Sequence, residues 1–316
     1  MLSGTKVVEI LSTQKPVSVS EDMSVVQACQ VLARNGISSA PIASKKGGFV
    51  GMVDYGDVAA LLIAGLRAQR SIDFSVGFEE QLTTLLESGL GPGSSVKLAS
   101  DMSKKNPMTV IHQSATLEEA AKTILEADVH RLCVVDNLDI FVGVVSLSDI
   151  LRFIRMHTDK ISNLVAPKLE TFPELFQKKV VTLPADRPVL EALELMVDLK
   201  VSSVAIVDPD SNDLCTVISL SDCKKIVKEG HKLPLLKVDC REFASKIRSD
   251  AALEQNHGSD AFPFFAVHKD TSLKTAINKL CAVRAHRLFV IEGGPNCSTK
   301  PLSVLSISDI IKALCL

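Results

Sequence analysis

Four acidic residues recur along the chain, Asp57, Asp149, Asp222 and Asp309, and each stands three residues after a polar one: Asp54, Ser146, Ser219 and Ser306. Three of the four therefore read Ser-x-x-Asp. A carboxylate can accept from the two hydroxyls of a ribose. A Ser hydroxyl at a helix start can add a donor to phosphate, because the first turn leaves N–H groups unpaired and carries partial positive charge. The same spacing is also a variant of the capping box, in which the two side chains satisfy nearby backbone N–H groups. Taken singly, each motif fits both readings.

A second pair of residues alternates with the repeat. It reads Ser38-Ser39, His130-Arg131, Ser202-Ser203 and His286-Arg287, each preceded by an apolar residue. Arg offers forked donors to an anion, and His adds a donor that a phosphate would keep protonated. Each charge-assisted bond is worth about 1.5–3 kcal/mol. Apolar neighbours could sandwich a purine base. Together these groups suit a nucleotide monophosphate or polyphosphate. A surface His-Arg pair is also commonly just solvated, and internal duplication alone could carry such residues along.

Positioning these groups is the task of a recurring unit. Four amphipathic signatures share apolar positions at the same helical offsets: Val25/Ala28/Cys29/Leu32/Ala33, Leu117/Ala120/Ala121/Ile124/Leu125, Val189/Ala192/Leu193/Met196/Val197 and Leu273/Ala276/Ile277/Leu280/Cys281. Their period predicts helices. Ser24 with Gln27, and Thr116 with Glu119, predict capping boxes at two of them. Two short strands follow each helix: Ala40–Ala43 and Phe49–Val53, Leu132–Val135 and Phe141–Val145, Val204–Val207 and Leu214–Ile218, Leu288–Ile291 and Leu302–Leu305. An extended segment precedes the helix, as in Met108–Ile111 and Val180–Leu183, and a second helix begins at or just before each recurring Asp. A unit of roughly 50–60 residues buries too little surface to stand alone. Two units packed sheet to sheet would share a core, so four units read as two modules.

The expected fold is α/β. Repeat one spans 1–65, repeat two 101–160, repeat three 161–228 and repeat four 263–316, with connecting inserts at 66–100 and 229–262. The first insert predicts a helix over Glu79–Leu86 and a flexible Gly89–Ser95 stretch. The second, His231 to Phe262, shows no assignable pattern.

Composition narrows the function classes. The chain has 316 residues, 46% of them hydrophobic and 23% charged, with a formal net charge of −2. That balance argues against a nucleic-acid surface, as does the presence of one Tyr and no Trp for base stacking. The longest strongly apolar stretch, about Val58 to Leu66, is shorter than a bilayer requires. Met1–Leu11 shows no secretory pattern. The 8 cysteines include no Cys-x-x-Cys pair, which favours buried, reduced thiols over a metal site and an intracellular setting. Neither a Gly-x4-Gly-Lys-Ser/Thr loop nor a Gly-rich loop with Asp-Phe-Gly is present, so the sequence reads as non-enzymatic.

These strings resemble tandem cystathionine-beta-synthase (CBS) domains. The resemblance rests on Val129-His130-Arg131-Leu132-Cys133-Val134-Val135-Asp136, Val142-Gly143-Val144-Val145-Ser146-Leu147-Ser148-Asp149-Ile150-Leu151, Ala285-His286-Arg287-Leu288-Phe289-Val290-Ile291, Asn35-Gly36-Ile37-Ser38-Ser39-Ala40-Pro41 and Phe49-Val50-Gly51-Met52-Val53. More narrowly, the chain is similar to the gamma regulatory subunit of the AMP-activated and sucrose-non-fermenting-related protein kinases, including their plant branch. The resemblance implies four CBS repeats forming two paired (Bateman) modules in a disc. It implies AMP, ADP or ATP as regulatory ligands, with no catalytic cofactor and no metal. It also implies a catalytic alpha and a scaffolding beta kinase subunit as partners, no nucleic acid or membrane, and a cytoplasmic and nuclear location.

Carried over by position, the nucleotide-binding residues are His130, Arg131, Ser146, Asp149, Ser219, Asp222, His286, Arg287, Ser306, Asp309 and Asp57. Two departures weaken repeat one: Asp54 stands where Ser or Thr is usual, and Ser38 replaces a basic residue of many animal members. A carboxylate ~4 Å from a phosphate would repel it by about 4 kcal/mol at an effective dielectric near 20. Neither does a basic residue between repeats three and four find a match in His231–Phe262. A stand-alone adenosyl-ligand sensor and a structural adaptor with empty clefts remain the alternatives.

Overall fold

A computed structural model describes residues 1–11, 16–68, 95–222, 235–253, 264–292 and 298–315. The expected Glu79–Leu86 helix lies outside the described residues.

Repeat one contains β1 (Val19–Ser20), α1 (Val25–Arg34), β2 (Ser39–Ala43), β3 (Phe49–Asp54) and α2 (Tyr55–Ala68). Repeat two contains β4 (Val110–His112), α3 (Leu117–Glu126), β5 (Arg131–Val135), β6 (Phe141–Ser146) and α4 (Leu147–Met156), followed by a short connecting helix, α5 (Ser162–Val165). Repeat three contains β7 (Thr182–Pro184), α6 (Val189–Asp198), β8 (Ser203–Val207) and β9 (Leu214–Ser219), then a single helical turn at Leu220–Asp222. Helix α7 (Cys240–Leu253) precedes repeat four, which contains β10 (Ala266–Val267), α8 (Leu273–Val283), β11 (Arg287–Ile291), β12 (Pro301–Ser306) and α9 (Ile307–Cys315).

Each repeat builds the same three-stranded sheet. Its first strand pairs parallel with the second across the first helix, and the second pairs antiparallel with the third. The first helix buries the predicted stripe, for example Leu117, Ala120, Ala121 and Ile124 in α3. Both predicted capping boxes form: the Gln27 N–H donates to Ser24 Oγ at 3.2 Å and the Glu119 N–H to Thr116 Oγ at 3.1 Å. Such caps contribute about 1 kcal/mol each.

Every first helix is followed by a left-handed residue eleven positions after its first: Gly36, Asp128, Lys200 and Arg284. That residue turns the chain so the following strand starts at the second member of the Ser-Ser or His-Arg pair.

Apolar cores connect the repeats in two directions. Sheets meet within a module: Phe49 and Phe141 stack edge to face at 5.2 Å, and Cys133 Sγ lies 3.4 Å from Met52 Sδ. Phe289 and Ile291 of repeat four meet Ala205 and Leu214 of repeat three in the same way. The larger cores run between modules. One joins α1 and α2 to α6 and α7, through Leu32, Leu62, Ile63, Leu193 and Phe243. The other joins α3 and α4 to α8 and α9, through Ile124, Ile150, Ile277 and Ile310. Repeats one, two, four and three thus form a closed ring, sheet contacts alternating with helix contacts. The expectation of a core confined to each pair captured only the smaller, sheet-mediated contacts.

Within a module the two repeats also exchange lead segments. The residue capping each first helix bridges to the segment that precedes the sister repeat: Ser24 to Ser95, Thr116 to Lys6, Pro188 to Asp239 and Ser272 to Lys168. The part of the first expected insert just before repeat two therefore belongs to repeat one's packing. Val96 and Ala99 are fully buried there. Gly51 makes room for it, since a Cβ would lie 2.0 Å from Ser100 Oγ. Helix α7, outside the recurring unit, buries Phe243 and Ile247 against α6 and β9.

Candidate nucleotide site at the centre of the ring

Both motifs are brought together by strand register. In each antiparallel ladder, the residue fourteen positions after the first helix start faces the residue that opens the acidic motif. Ser39 pairs with Asp54, Arg131 with Ser146, Ser203 with Ser219 and Arg287 with Ser306. In each sheet the second strand starts one residue earlier and the third ends one residue later than the sequence predicts, and those extra residues are the motif positions themselves.

All four acidic residues close capping boxes or their equivalent. The N–H groups of Asp54, Ser146, Ser219 and Ser306 donate to Oδ2 of the Asp three residues on, at 3.0, 2.9, 2.7 and 2.9 Å. The hydroxyls of Ser146, Ser219 and Ser306 donate to the same oxygen at 2.6, 2.9 and 2.6 Å. The capping reading is therefore correct in geometry. It leaves Oδ1 as the oxygen that distinguishes the repeats. Asp149 offers Oδ1 to Arg152 at 3.0 Å, and Asp309 offers it to Lys178 at 2.6 Å.

A central cavity of about 1820 Å³ is lined from all four repeats, and His130, Arg131, His286 and Arg287 all border it. Arg131 donates to Ser38 Oγ at 3.1 Å. Arg287 donates to Ser203 Oγ at 2.6 Å and also to Ser202. The alternation of Ser-Ser with His-Arg is thus one acceptor–donor arrangement per module. Both imidazoles keep solvent-exposed surface at the cavity, yet the protein packed around them disfavours their charged forms. Burial and the adjacent Arg131 hold His130 below the usual histidine range. Burial, with Arg287, Arg131 and His130, pushes His286 down to about 4. Burial lowers Arg287 to about 10 against the opposing pull of Asp309, so it stays cationic at neutral pH.

A model of the CBS domain matches residues 7–64, 99–156 and 174–229, more than half of the chain. The chain belongs to the CBS-domain family. Among sequence relatives, this CBS-domain protein is 28% identical to Protein SDS23 of Eremothecium gossypii over 301 residues, covering 90% of this chain and 59% of that one. It is 31% identical to Protein sds23 of Aspergillus niger over 249 residues, covering 77% and 47%. The chain spans about half the length of the curated relatives it matches, and these are fungal rather than plant proteins.

In fold it resembles protein MJ1225 of Methanocaldococcus jannaschii, described as a candidate archaeal homologue of g-AMPK. The TM-score is 0.72 at 13% identity, over 98% of this chain and 100% of that one. An uncharacterised conserved protein of Pyrococcus horikoshii follows with TM-score 0.56 and 16% identity, over 99% and 100%. These likenesses give the CBS protein's fold as a ring of four repeats.

Repeat one departs from the rest. Asp57 is fully buried, and both its oxygens are taken. Oδ1 accepts from the Ser103 N–H at 3.0 Å and the Ser103 hydroxyl at 2.6 Å. Oδ2 accepts from the Asp54 N–H at 3.0 Å and from Asn106 Nδ2 at 2.9 Å. Burial and the nearby Asp54 charge raise its carboxyl well above the usual range, against the pull of these donors. Neither oxygen is open to a ligand in this structure, and Asp57 does not border the cavity as Asp149 and Asp222 do, which corrects the expectation that it is a binding residue.

Lys178, Arg152, Ser103 and Asn106 escaped the sequence reading. Lys178 lies 131 positions from its partner Asp309, and no spacing rule links residues so far apart. Arg152 had a visible signal, since it stands one helical turn after Asp149. Among the described residues no cluster of His, Cys, Asp and Glu could hold a metal, and no helix is long and apolar enough to cross a membrane.

Proposed function

We propose that this CBS-domain protein binds adenine nucleotides at the centre of the ring and serves as a non-catalytic regulatory subunit. The carrying observation is the ladder pairing of Arg287 with Ser306 beside the Asp309–Lys178 pair, all at the N-terminus of α9. That corner combines a cation that stays charged, a hydroxyl, the positive end of a helix and a carboxylate. Arg131, Ser146 and Asp149 repeat it at the start of α4. A phosphate would accept from Arg287 at the positive end of α9 while ribose hydroxyls donate to Asp309 Oδ1, displacing Lys178 towards the phosphate. Asp222 with Ser219 would draw its cation from Arg287 of the sister repeat.

In the regulatory reading, nucleotide exchange shifts packing between the modules through the two shared helix cores, and a Ser/Thr kinase surface reads that shift. This requires ligands that bind two ring conformations unequally. The kinase alpha and beta subunits are the partners that the gamma-like fold suggests. Calorimetric titration with AMP, ADP, ATP and S-adenosylmethionine tests the binding step. Saturation at 100 times Kd adds about 2.7 kcal/mol of stability. No heat and no melting shift with any of the four would sink it and favour the adaptor. Co-purification with a kinase alpha subunit tests the partner.

A further inference from the structure

We infer that repeat one is filled by the protein's own imitation of the ligand. This deepens the nucleotide reading and rests on it. Two positions matter in each repeat: the helix N-terminus where a phosphate would sit, and the carboxylate where a diol would donate.

In repeat one both positions are taken by the chain. Asp54 supplies the anion. Its Oδ1 accepts from the Gly56 N–H at 2.8 Å and the Asp57 N–H at 3.0 Å, at the start of α2. Its Oδ2 faces the Arg131 guanidinium at 3.8 Å. The helix N-terminus and the module's arginine therefore already hold a negative charge. In the other three repeats a neutral Ser stands at this place, and no permanent anion occupies it.

Ser103 and Asn106 supply the diol. A hydroxyl hydrogen and an amide hydrogen reach the two oxygens of Asp57 at 2.6 and 2.9 Å, as two ribose hydroxyls would. Asn106 is 3% exposed and Asp57 0%, so no solvent route to this carboxylate is open. The 101–106 turn that delivers both donors carries left-handed backbone at Asp101 and Lys104, a shape held against its intrinsic preference. The Asn106 N–H closes the turn on Asp101 Oδ1 at 3.0 Å. The turn thus works as a tethered occupant that ties repeat one to repeat two, and its release would create a ligand site where none is open.

The test is AMP stoichiometry on the full chain by equilibrium dialysis, comparing wild type with the triple variant Asp54→Ser, Ser103→Ala, Asn106→Ala. The expected result is one additional equivalent on the variant, lost again when Asp57→Ala is added. Equal stoichiometry, in a variant that melts cooperatively, overturns the inference. So does loss of an equivalent from the otherwise wild-type chain on Asp57→Ala. One equivalent on the triple variant and none on wild type would sink the nucleotide reading of the other clefts while leaving this one standing; none on either overturns both. If the variant does not fold, hydrogen exchange at the Ser103 amide of the wild type decides. Protection unchanged by saturating AMP supports the filled cleft, and protection lost on adding AMP overturns it.

Discussion

Arg287 donates to the Ser203 hydroxyl at 2.6 Å across the boundary between repeats four and three. Arg131 reaches Ser38 in the other module at 3.1 Å. The even repeats therefore lend their cation to the odd ones, and each arginine sits between two candidate clefts. This contact makes the two clefts of a module interdependent, because an anion in either one competes for the same guanidinium.

Removing that cation should affect both clefts of the second module. Arg287→Ala is expected to weaken AMP binding by about 10- to 150-fold, the range set by one charge-assisted bond of about 1.5–3 kcal/mol. Ser203→Ala should cost less than tenfold, since the arginine keeps its charge. Isothermal calorimetry of the two variants separates these outcomes. Equal, unchanged affinity in both would show that AMP binds away from Arg287.

Anion binding should take up protons. His286 is held near 4 and His130 below its ordinary value in the ligand-free ring, and a bound phosphate favours their charged forms. Calorimetry near pH 6 in buffers of different ionisation enthalpy should show proton uptake that shrinks in His286→Gln. Ligand-free stability follows the opposite charge preference. The unfolded chain binds more protons at these histidines below about 6.5, down to about 4 for His286, so their contribution is present above 6.5 and is lost as pH falls. His286→Gln should flatten urea midpoints measured from pH 7 down to pH 5.

Asp57 should matter for stability more than for binding. Its replacement by Ala strands donors from Ser103, Asn106 and the Asp54 backbone in a fully buried place. A loss of about 3 kcal/mol is expected, read as a lowered denaturant midpoint. AMP stoichiometry should be unchanged. Because the Asp57 carboxyl is raised, the folded chain holds its proton where the unfolded chain has released it. This group therefore disfavours folding as pH rises above 4, opposite in sign to the histidines.

Gly51 should tolerate no side chain at ordinary cost. A Cβ there meets Ser100 Oγ at 2.0 Å and Ser100 Cβ at 3.2 Å, so the Ser100 hydroxyl must rotate away and its Cβ give way slightly. Gly51→Ala is expected to cost about 1–3 kcal/mol. The matching Gly143→Ala should cost less, since its nearest contact is Leu11 Cδ2 at 3.3 Å. Thermal melts of the two variants check the order.

Lys200 holds a left-handed backbone, φ 52, at the position Gly36 occupies in repeat one. Lys200→Gly relieves that conformation, which costs an L-residue about 1–2 kcal/mol, though the added freedom of the unfolded chain offsets part of it. A gain of about 0.5 kcal/mol in denaturant stability is expected.

The repeat was legible because helix periodicity and Ser-x-x-Asp spacing are local. Apolar positions three and four apart can only share one helix face, so α1, α3, α6 and α8 follow from Val25, Leu117, Val189 and Leu273 with their successors. The alternation of Ser-Ser with His-Arg was visible too, but its meaning was not. Its donor and acceptor lie 93 positions apart for Arg131 and Ser38, and only the packing of repeat two against repeat one makes them neighbours. Helix α7 does carry the helical apolar spacing, at Cys240, Phe243, Ala244 and Ile247, all buried. It stands outside the recurring unit, however, so the repeat offered no register in which to read it.

By itself the sequence determined the unit, its fourfold recurrence, and the residues bearing charge and hydroxyls, since these depend on spacings within one turn or one hairpin. Tertiary structure decided which sites are equivalent. Asp57 and Asp149 follow the same local rule, yet one accepts from Ser103 and Asn106 in a sealed core while the other faces Arg152 at the cavity. The physical reason is that a carboxylate's availability depends on the donors brought to it from elsewhere in the chain. That requires the exchanged lead segments, which are not a local property.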